Sequence, residues 1–296
     1  MKAVKIIATC FKSRKVIENT SLVGNPLGFF IHSQNFKNTK EIIDLLKLNI
    51  ECEIKCDPGY ERDLIIVNSD IGSTEGNDFL KSVSGMKIPG GKIITFNRKN
   101  IGRSFGAYSD AFLKFRNKYD YFLFTEDDIL ITKKNYLKKG IDIYNANLNC
   151  GFVAYISTTK IGKWHWQPLG LNKKTAYSCH GATGLSSKEM LDKIVQTYGH
   201  LPHNKGSEYF KDITFGEVAF PSSIIKLGYH LIDLPKDLVL AIPAYDIMRN
   251  IKYRKFPNTI EKFIYYTKST LYKIFANNEM SLKIYIRSIR FVKNFF

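Results

Sequence analysis

Tyr119-Asp120-Tyr121-Phe122-Leu123-Phe124-Thr125 is an aromatic-rich apolar run that stops abruptly on three adjacent acids, Glu126-Asp127-Asp128. The run reads as a central β-strand. Adjacent carboxylates repel each other, so such a cluster is costly near a core unless a cation occupies it. Hard divalent cations such as Mg2+ or Mn2+ prefer oxygen ligands, often a few carboxylates completed by substrate phosphates. A solvated turn is the competing reading, and the position after a hydrophobic strand weighs against it.

Outward from this run, strand-like and helix-like segments alternate. Residues 2–9, 63–68, 92–96 and 151–156 read as strands, and residues 229–234 and 238–242 as two closing ones. Residues 38–48, 134–147, 187–198 and 215–227 read as helices, with a further helix at 104–118 capped by Ser104. Residues 72–77, Gly-Ser-Thr-Glu-Gly-Asn, are turn chemistry. Repeated alternation with short connections predicts an α/β fold, a mostly parallel sheet flanked by helices. Ligands in such sheets bind beyond the carboxyl ends of the strands, where the acidic triple falls.

With 296 residues, 44% of them hydrophobic, the chain has enough apolar material for one large domain, or one with an appendage. The five cysteines, at 10, 52, 56, 150 and 179, are odd in number and form no CxxC, which argues against a disulfide framework. Cys52 and Cys56 have no second pair to complete a zinc tetrahedron. The N-terminus has only a short apolar run before Lys12, Arg14 and Lys15, so it reads as a buried strand rather than a signal peptide. No uninterrupted apolar stretch is long enough to span a bilayer. The expectation is a cytoplasmic protein, peripheral on the inner face of a membrane.

The formal net charge of +17 is uneven: from Arg249 onward eleven Lys/Arg oppose only Glu261 and Glu279. This divides the chain into a domain over residues 1–245 and a basic helical extension over 246–296. In the extension, residues 260–274 and 282–295 read as amphipathic helices whose basic residues are interleaved with aromatics. Such helices suit an anionic membrane surface. Nucleic acid would attract the same charge, but no nucleic-acid motif accompanies it. Packing on the domain or on a second subunit, as in a homodimer, is the third reading.

Three segments occur in an order that resembles the nucleotide-binding half of GT-A-fold glycosyltransferases, close to family 2. Residues 63–74 resemble the second strand and its Asp-Gly-Ser loop, residues 97–107 the Asn-x-Gly segment before the donor-side helix, and residues 121–128 the strand entering the DxD motif. The resemblance covers roughly residues 3–240 and thins after 156. It implies that Thr9, Cys10 and Phe11 stand beside the nucleotide base and Asp70 near base or ribose. Glu126 and Asp128 would hold the metal, Asp128 most directly, with Asp127 at the ribose. Asn100 and Arg103 fall in the donor-side segment. Arg103 is either a phosphate contact, since guanidinium matches phosphate oxygens, or a surface cation.

Residues 178–185, Ser-Cys-His-Gly-Ala-Thr-Gly-Leu, look like the family's acceptor-side glycine-rich loop. His180 would bond the donor there or serve the structure. Transfer with inversion in one displacement needs a carboxylate base for the acceptor hydroxyl. The family's late acidic pair maps to Gly216-Glu217-Val218, where Val218 replaces the second acid. Glu217 is the first candidate and Asp212 the next. Trp164 and Trp166, flanking His165, are either sugar platforms or core.

Together these readings predict a Mn2+- or Mg2+-dependent transferase. It would move sugar from a nucleoside diphosphate, UDP first among candidates, to a glycan or lipid-linked acceptor. The Lys-, Ile- and Asn-rich composition suggests an AT-rich bacterial genome and surface polysaccharide synthesis. Rivals are a sugar-phosphate nucleotidylyltransferase, disfavoured because residues 8–13 lack its glycine-rich loop, and a non-catalytic membrane or nucleic-acid binding module built on the basic extension.

Overall fold

The first strand, β1 (Ala3–Thr9), is buried along its whole length, as is β2 (Arg62–Asn68) beside it. Strands covered on both faces are the mark of a parallel core. The computed structural model describes residues 2–11, 39–156, 158–160, 177–203, 214–233 and 242–243. Between β1 and β2 lies α1 (Thr39–Lys55). After β2 come α2 (Thr74–Val83), β3 (Lys87–Ile88), β4 (Gly91–Asn97), α3 (Arg103–Phe115), β5 (Tyr121–Glu126), β6 (Ile129–Leu130) and α4 (Tyr136–Ala146). The later elements are β7 (Cys150–Ala154), β8 (Thr158–Lys160), β9 (Tyr177–Cys179), a 3-10 turn His180–Ala182, β10 (Gly184–Ser187) and α5 (Lys188–Tyr198). A π-turn Thr214–Val218, α6 (Ala219–Lys226), β11 (His230–Asp233) and β12 (Ile242–Pro243) complete them.

The main sheet has the order β11-β7-β10-β5-β1-β2-β4-β3. β5, β1, β2 and β4 run parallel, so the loops that follow them open on one edge. The sheet is mixed but mostly parallel, as expected: β7 and β11 run with the central strands, while β10 is antiparallel to both β5 and β7, and β3 to β4. The direction of β10 matters for the site. Because Gly184 pairs with Phe124, the start of β10 lies at the carboxyl end of β5. The 3-10 turn leading into β10 is thereby delivered to the acidic triple.

One face of the sheet is covered by α3. Its Phe105, Tyr108, Phe112 and Phe115 pack on Val4, Ile6, Phe122 and Phe124 of β1 and β5. Phe112 and Phe122 meet edge to face with ring centroids 4.9 Å apart, a favoured aromatic geometry. On the other face, α1 and α2 cover Ile7, Leu64, Ile66 and Ile93. α4 covers Tyr121 and Leu123 there.

A charged cluster is buried on this second face. Lys5 of β1 donates to Glu53 Oε1 at 2.9 Å, and Arg62 of β2 donates through Nε to Glu53 Oε2 at 2.8 Å. Tyr136 adds a hydroxyl to Glu53 Oε2 at 2.7 Å. Lys5, Glu53 and Arg62 are all fully buried. Burial alone would push the Glu53 carboxyl up, but the Lys5 and Arg62 charges and the Tyr136 hydroxyl hold it below its usual range.

Several sequence expectations shift. Residues 74–77 are not a turn but the first helical turn of α2, with Ser73 as N-cap accepting from the Gly76 amide. Ser104 does not cap α3; Gly102, at φ 71, holds that position. The first helix runs on to Lys55, well past residue 48. The segment 215–227 opens with a π-turn before α6 begins. Among the described residues no helix is long and apolar enough to cross a membrane. The extension 246–296 and the segment holding Trp164, His165 and Trp166 lie outside the described residues.

Candidate active site

Glu126, Asp127 and Asp128 leave the end of β5 in different environments. Asp127 is 8% exposed, whereas Glu126 and Asp128 are half-buried. The Asp127 amide, carbonyl and Oδ2 are all engaged. Its amide donates to the Ala8 carbonyl at 3.2 Å, its carbonyl accepts from Asn49 Nδ2 at 2.8 Å, and its Oδ2 accepts from Thr9 Oγ1 at 2.8 Å. Thr9 and Asp127, both expected at the nucleotide, are hydrogen-bonded to each other. The Phe11 ring is 1% exposed and lies against Gly76, within the cluster under α1 and α2.

Glu126 meets the start of α3. The Ser104 hydroxyl, in the first turn, donates to Glu126 Oε1 at 2.5 Å. A carboxylate is favoured there, because helix N-termini carry partial positive charge and spare N–H groups. Gly102 and Arg103 both adopt left-handed backbone, at φ 71 and φ 50, as the chain turns into this helix. Such a conformation in a non-glycine residue costs about 1–2 kcal/mol and is typically held where a site needs it.

Tyr108 of α3 lies beneath the triple. Its hydroxyl donates to the Gly181 carbonyl at 3.0 Å. Burial, followed by the charges of Glu126, Asp128 and Asp127, pushes its ionisation well above the usual tyrosine value, so it remains a donor. Gly181 then joins the two sides of the site. A Cβ there would stand 2.9 Å from Glu126 Oε2, and its amide donates to Glu217 Oε1 at 3.2 Å. Glu217 sits in the π-turn, an irregularity frequent at functional sites. Cys179 is fully buried, and burial, then the charges of Glu217 and Asp233, push its thiol up.

The loops after β2 and β4 are laced together. Asn68 Oδ1 accepts from the Asp70 amide at 2.9 Å, and its Nδ2 donates to Asn97 Oδ1 at 3.1 Å. Asp70 Oδ1 accepts from the Gly72 amide at 3.0 Å, so part of this carboxylate shapes its own turn. Asn100 Nδ2 donates to Cys10 Sγ at 3.7 Å, bridging the loops after β4 and β1. Arg98 clamps this edge, donating to Ser69 Oγ at 3.0 Å, Asp110 Oδ2 at 2.5 Å and the Ile101 carbonyl at 2.6 Å. The structure thus brings Cys10, Asp70, Asn100, Arg103, Glu126, Asp128 and Glu217 to the carboxyl edge. Asp212 and the His180 side chain lie outside the described residues.

Asn49, Ser104 and Tyr108 make the contacts that define the site, and the sequence showed a site role for none of them. Asn49 fell just past the expected end of its helix, Tyr108 read as helix interior and Ser104 as a cap; nothing in the local pattern points to a partner far along the chain.

Glu126 and Asp128, both half-buried, are the candidate carboxylates for a divalent cation, beside Asp127, which accepts from Thr9. Among the described residues no three His, Cys, Asp or Glu side chains form a ready-made metal cage. An all-oxygen pair of this kind fits Mg2+ or Mn2+ completed by phosphate oxygens, and does not fit a structural zinc.

No family model matches the chain. No curated protein matches it either. The chain is similar to the solved structure of TarS 1–349 from S. aureus, at 12% identity and TM-score 0.48, covering 85% of this chain and 64% of that one. A mannosyltransferase from Pyrobaculum calidifontis, solved in complex with GDP-Man and Mn2+, is similar at 12% identity and TM-score 0.48, with 82% and 56% covered. The galactosyltransferase LgtC, solved with donor and acceptor sugar analogues, is similar at 12% identity and TM-score 0.38, with 74% and 72% covered. The chain therefore spans less than two thirds of the first two structures' chains. These likenesses are too remote to assign chemistry, which rests on the site residues.

Proposed function

We propose that this chain is a GT-A-type glycosyltransferase that moves a sugar from a nucleoside diphosphate, UDP first among candidates, to a glycan or lipid-linked hydroxyl. One observation carries this reading. A pair of half-buried carboxylates, Glu126 and Asp128, ends the central strand, and Glu217 faces them across Gly181. The loops holding Asp70, Asn100 and Arg103 open on the same edge, where an α/β sheet receives a nucleotide.

In this reading Glu126 and Asp128 hold Mn2+ or Mg2+. A divalent cation at that place neutralises charge developing on the departing diphosphate. Ser104 fixes Glu126, and Tyr108 fixes the Gly181 turn. Arg103 reaches phosphate oxygens. Glu217 takes the proton from the acceptor hydroxyl, and the Gly181 amide holds that carboxylate in place. A single base opposite the leaving group supports inversion in one displacement. The basic, aromatic segment 246–296 supports work at the cytoplasmic face of an anionic membrane, in surface polysaccharide synthesis.

The test is a panel of nucleotide sugars assayed for transfer and hydrolysis, with and without Mn2+, on the full chain and on Asp128→Ala. Metal-dependent turnover that Asp128→Ala abolishes is expected. Unchanged binding of UDP and Mn2+ by Asp128→Ala would overturn the site.

A further inference from the structure

The buried cluster on the far face of β1 is connected to the acidic triple through one side chain. Asn49 of α1 is fully buried. Its Oδ1 accepts from Lys5 Nζ at 3.5 Å, and its Nδ2 donates to the carbonyls of Leu45, at 3.3 Å, and Asp127, at 2.8 Å. A cation on one side and two carbonyl oxygens on the other leave the amide a single orientation. Lys5 is itself fixed by Glu53, and Glu53 by Arg62 and Tyr136.

Stability does not account for this arrangement. Two buried cations share one carboxylate, and apolar residues of similar volume commonly serve stability as well or better. What the cluster does provide is a rigid donor aimed at one main-chain atom of the acidic loop. With its amide, carbonyl and carboxylate all tied to β1 and α1, Asp127 cannot rotate outward. Its two neighbours are the residues left half-buried at the opening.

We propose that Asn49, oriented by Lys5, is a positioning residue that presents Glu126 and Asp128 to a divalent cation. This rests on the cation-binding reading given above. Asn49 touches no reacting group; it acts through the Asp127 backbone. Its removal therefore weakens cation affinity in protein that is still folded, which a packing role alone would not do.

The experiment is a Mn2+ titration of the full chain, following free Mn2+ by electron paramagnetic resonance below the thermal transition of each variant. Asn49→Leu keeps the volume and removes the amide; Asn49→Ala replaces it in the comparison if the leucine variant does not fold. Asp128→Asn is run in parallel. The expected result is Mn2+ binding weakened about tenfold by the Asn49 variant, in proportion to one lost hydrogen bond, and more by Asp128→Asn. Weakening by Asp128→Asn alone would overturn the role of Asn49 and leave the site standing. No weakening by Asp128→Asn would overturn the cation site, and the proposal with it.

Discussion

The amide of Gly181 donates to Glu217 Oε1 at 3.2 Å, while a Cβ on the same residue would stand 2.9 Å from Glu126 Oε2. At φ 56, Gly181 is in a conformation that L side chains rarely adopt. Gly181→Ala should cost about 1–2 kcal/mol in backbone strain and push Glu126 aside. Turnover should fall by at least tenfold, since small displacements of positioned groups are expensive. Circular dichroism should still report a folded chain. Unaltered turnover would show that the turn does not set the carboxylate.

Glu217→Gln keeps the shape of the side chain and removes the base. We expect kcat to fall by about 10²–10⁴-fold, the usual contribution of a positioned general base. Donor affinity should change little, because Glu217 stands across Gly181 from the acidic pair. Calorimetric titration with the nucleotide, beside steady-state rates, separates the two effects.

Ser104→Ala removes the hydroxyl that holds Glu126. Hydrogen bonds to charged groups are worth about 1.5–3 kcal/mol. Apparent affinity for Mn2+ should drop roughly tenfold, without loss of thermal stability on the scale of a core mutation. Equal affinity in the variant would remove Ser104 from the site.

Lys5→Met leaves the Glu53 carboxylate with one cation fewer in a fully buried place. Breaking a buried pair from one side costs about 3–5 kcal/mol. Urea unfolding monitored by tryptophan and tyrosine fluorescence measures this. A cost under about 1 kcal/mol would mean that the cluster relaxes freely.

Asp63 gives the fold a pH dependence. Burial opposes its charge, yet the Lys2 ammonium, the Tyr119 hydroxyl and the Lys92 amide hold its carboxyl below the usual value. The stability it contributes is therefore fully present above the unfolded Asp value of about 3.9. It is lost as pH falls from there through the lower folded value. Asp63→Asn should flatten the acid limb of a stability profile measured between pH 7 and 3. A parallel limb would assign the acid sensitivity elsewhere.

Much of the parallel core was legible because its strands are apolar throughout and end on turn or charged residues. The run that closes on Glu126 shows this best. Strand direction was not legible: nothing in Gly184-Leu185-Ser186-Ser187 says that it runs antiparallel between β5 and β7. Residues 72–77 read as a turn because Gly, Ser and Asn dominate there, yet Ser73 uses that chemistry to start a helix. Lys5 was absorbed into a strand and Arg62 passed over just before one, since their partner Glu53 lies on another element. Long-range polar pairs have no local periodicity to reveal them, and for that reason Asn49, Ser104 and Tyr108 were missed. Thr9, Phe11 and Asp127 stand at positions where the resemblance puts ligand contacts, and their side chains also make contacts within the fold.

The register of β10 against β5 has a kinetic consequence. The acidic triple is supported by β5, β1, α1 and the start of α3, whereas Glu217 reaches it only after the turn at Gly181 has been carried in by β10. Closing that long loop is the slower, entropically costly step. A chain arrested before β10 docks would hold Glu126 and Asp128 without Glu217 opposite them.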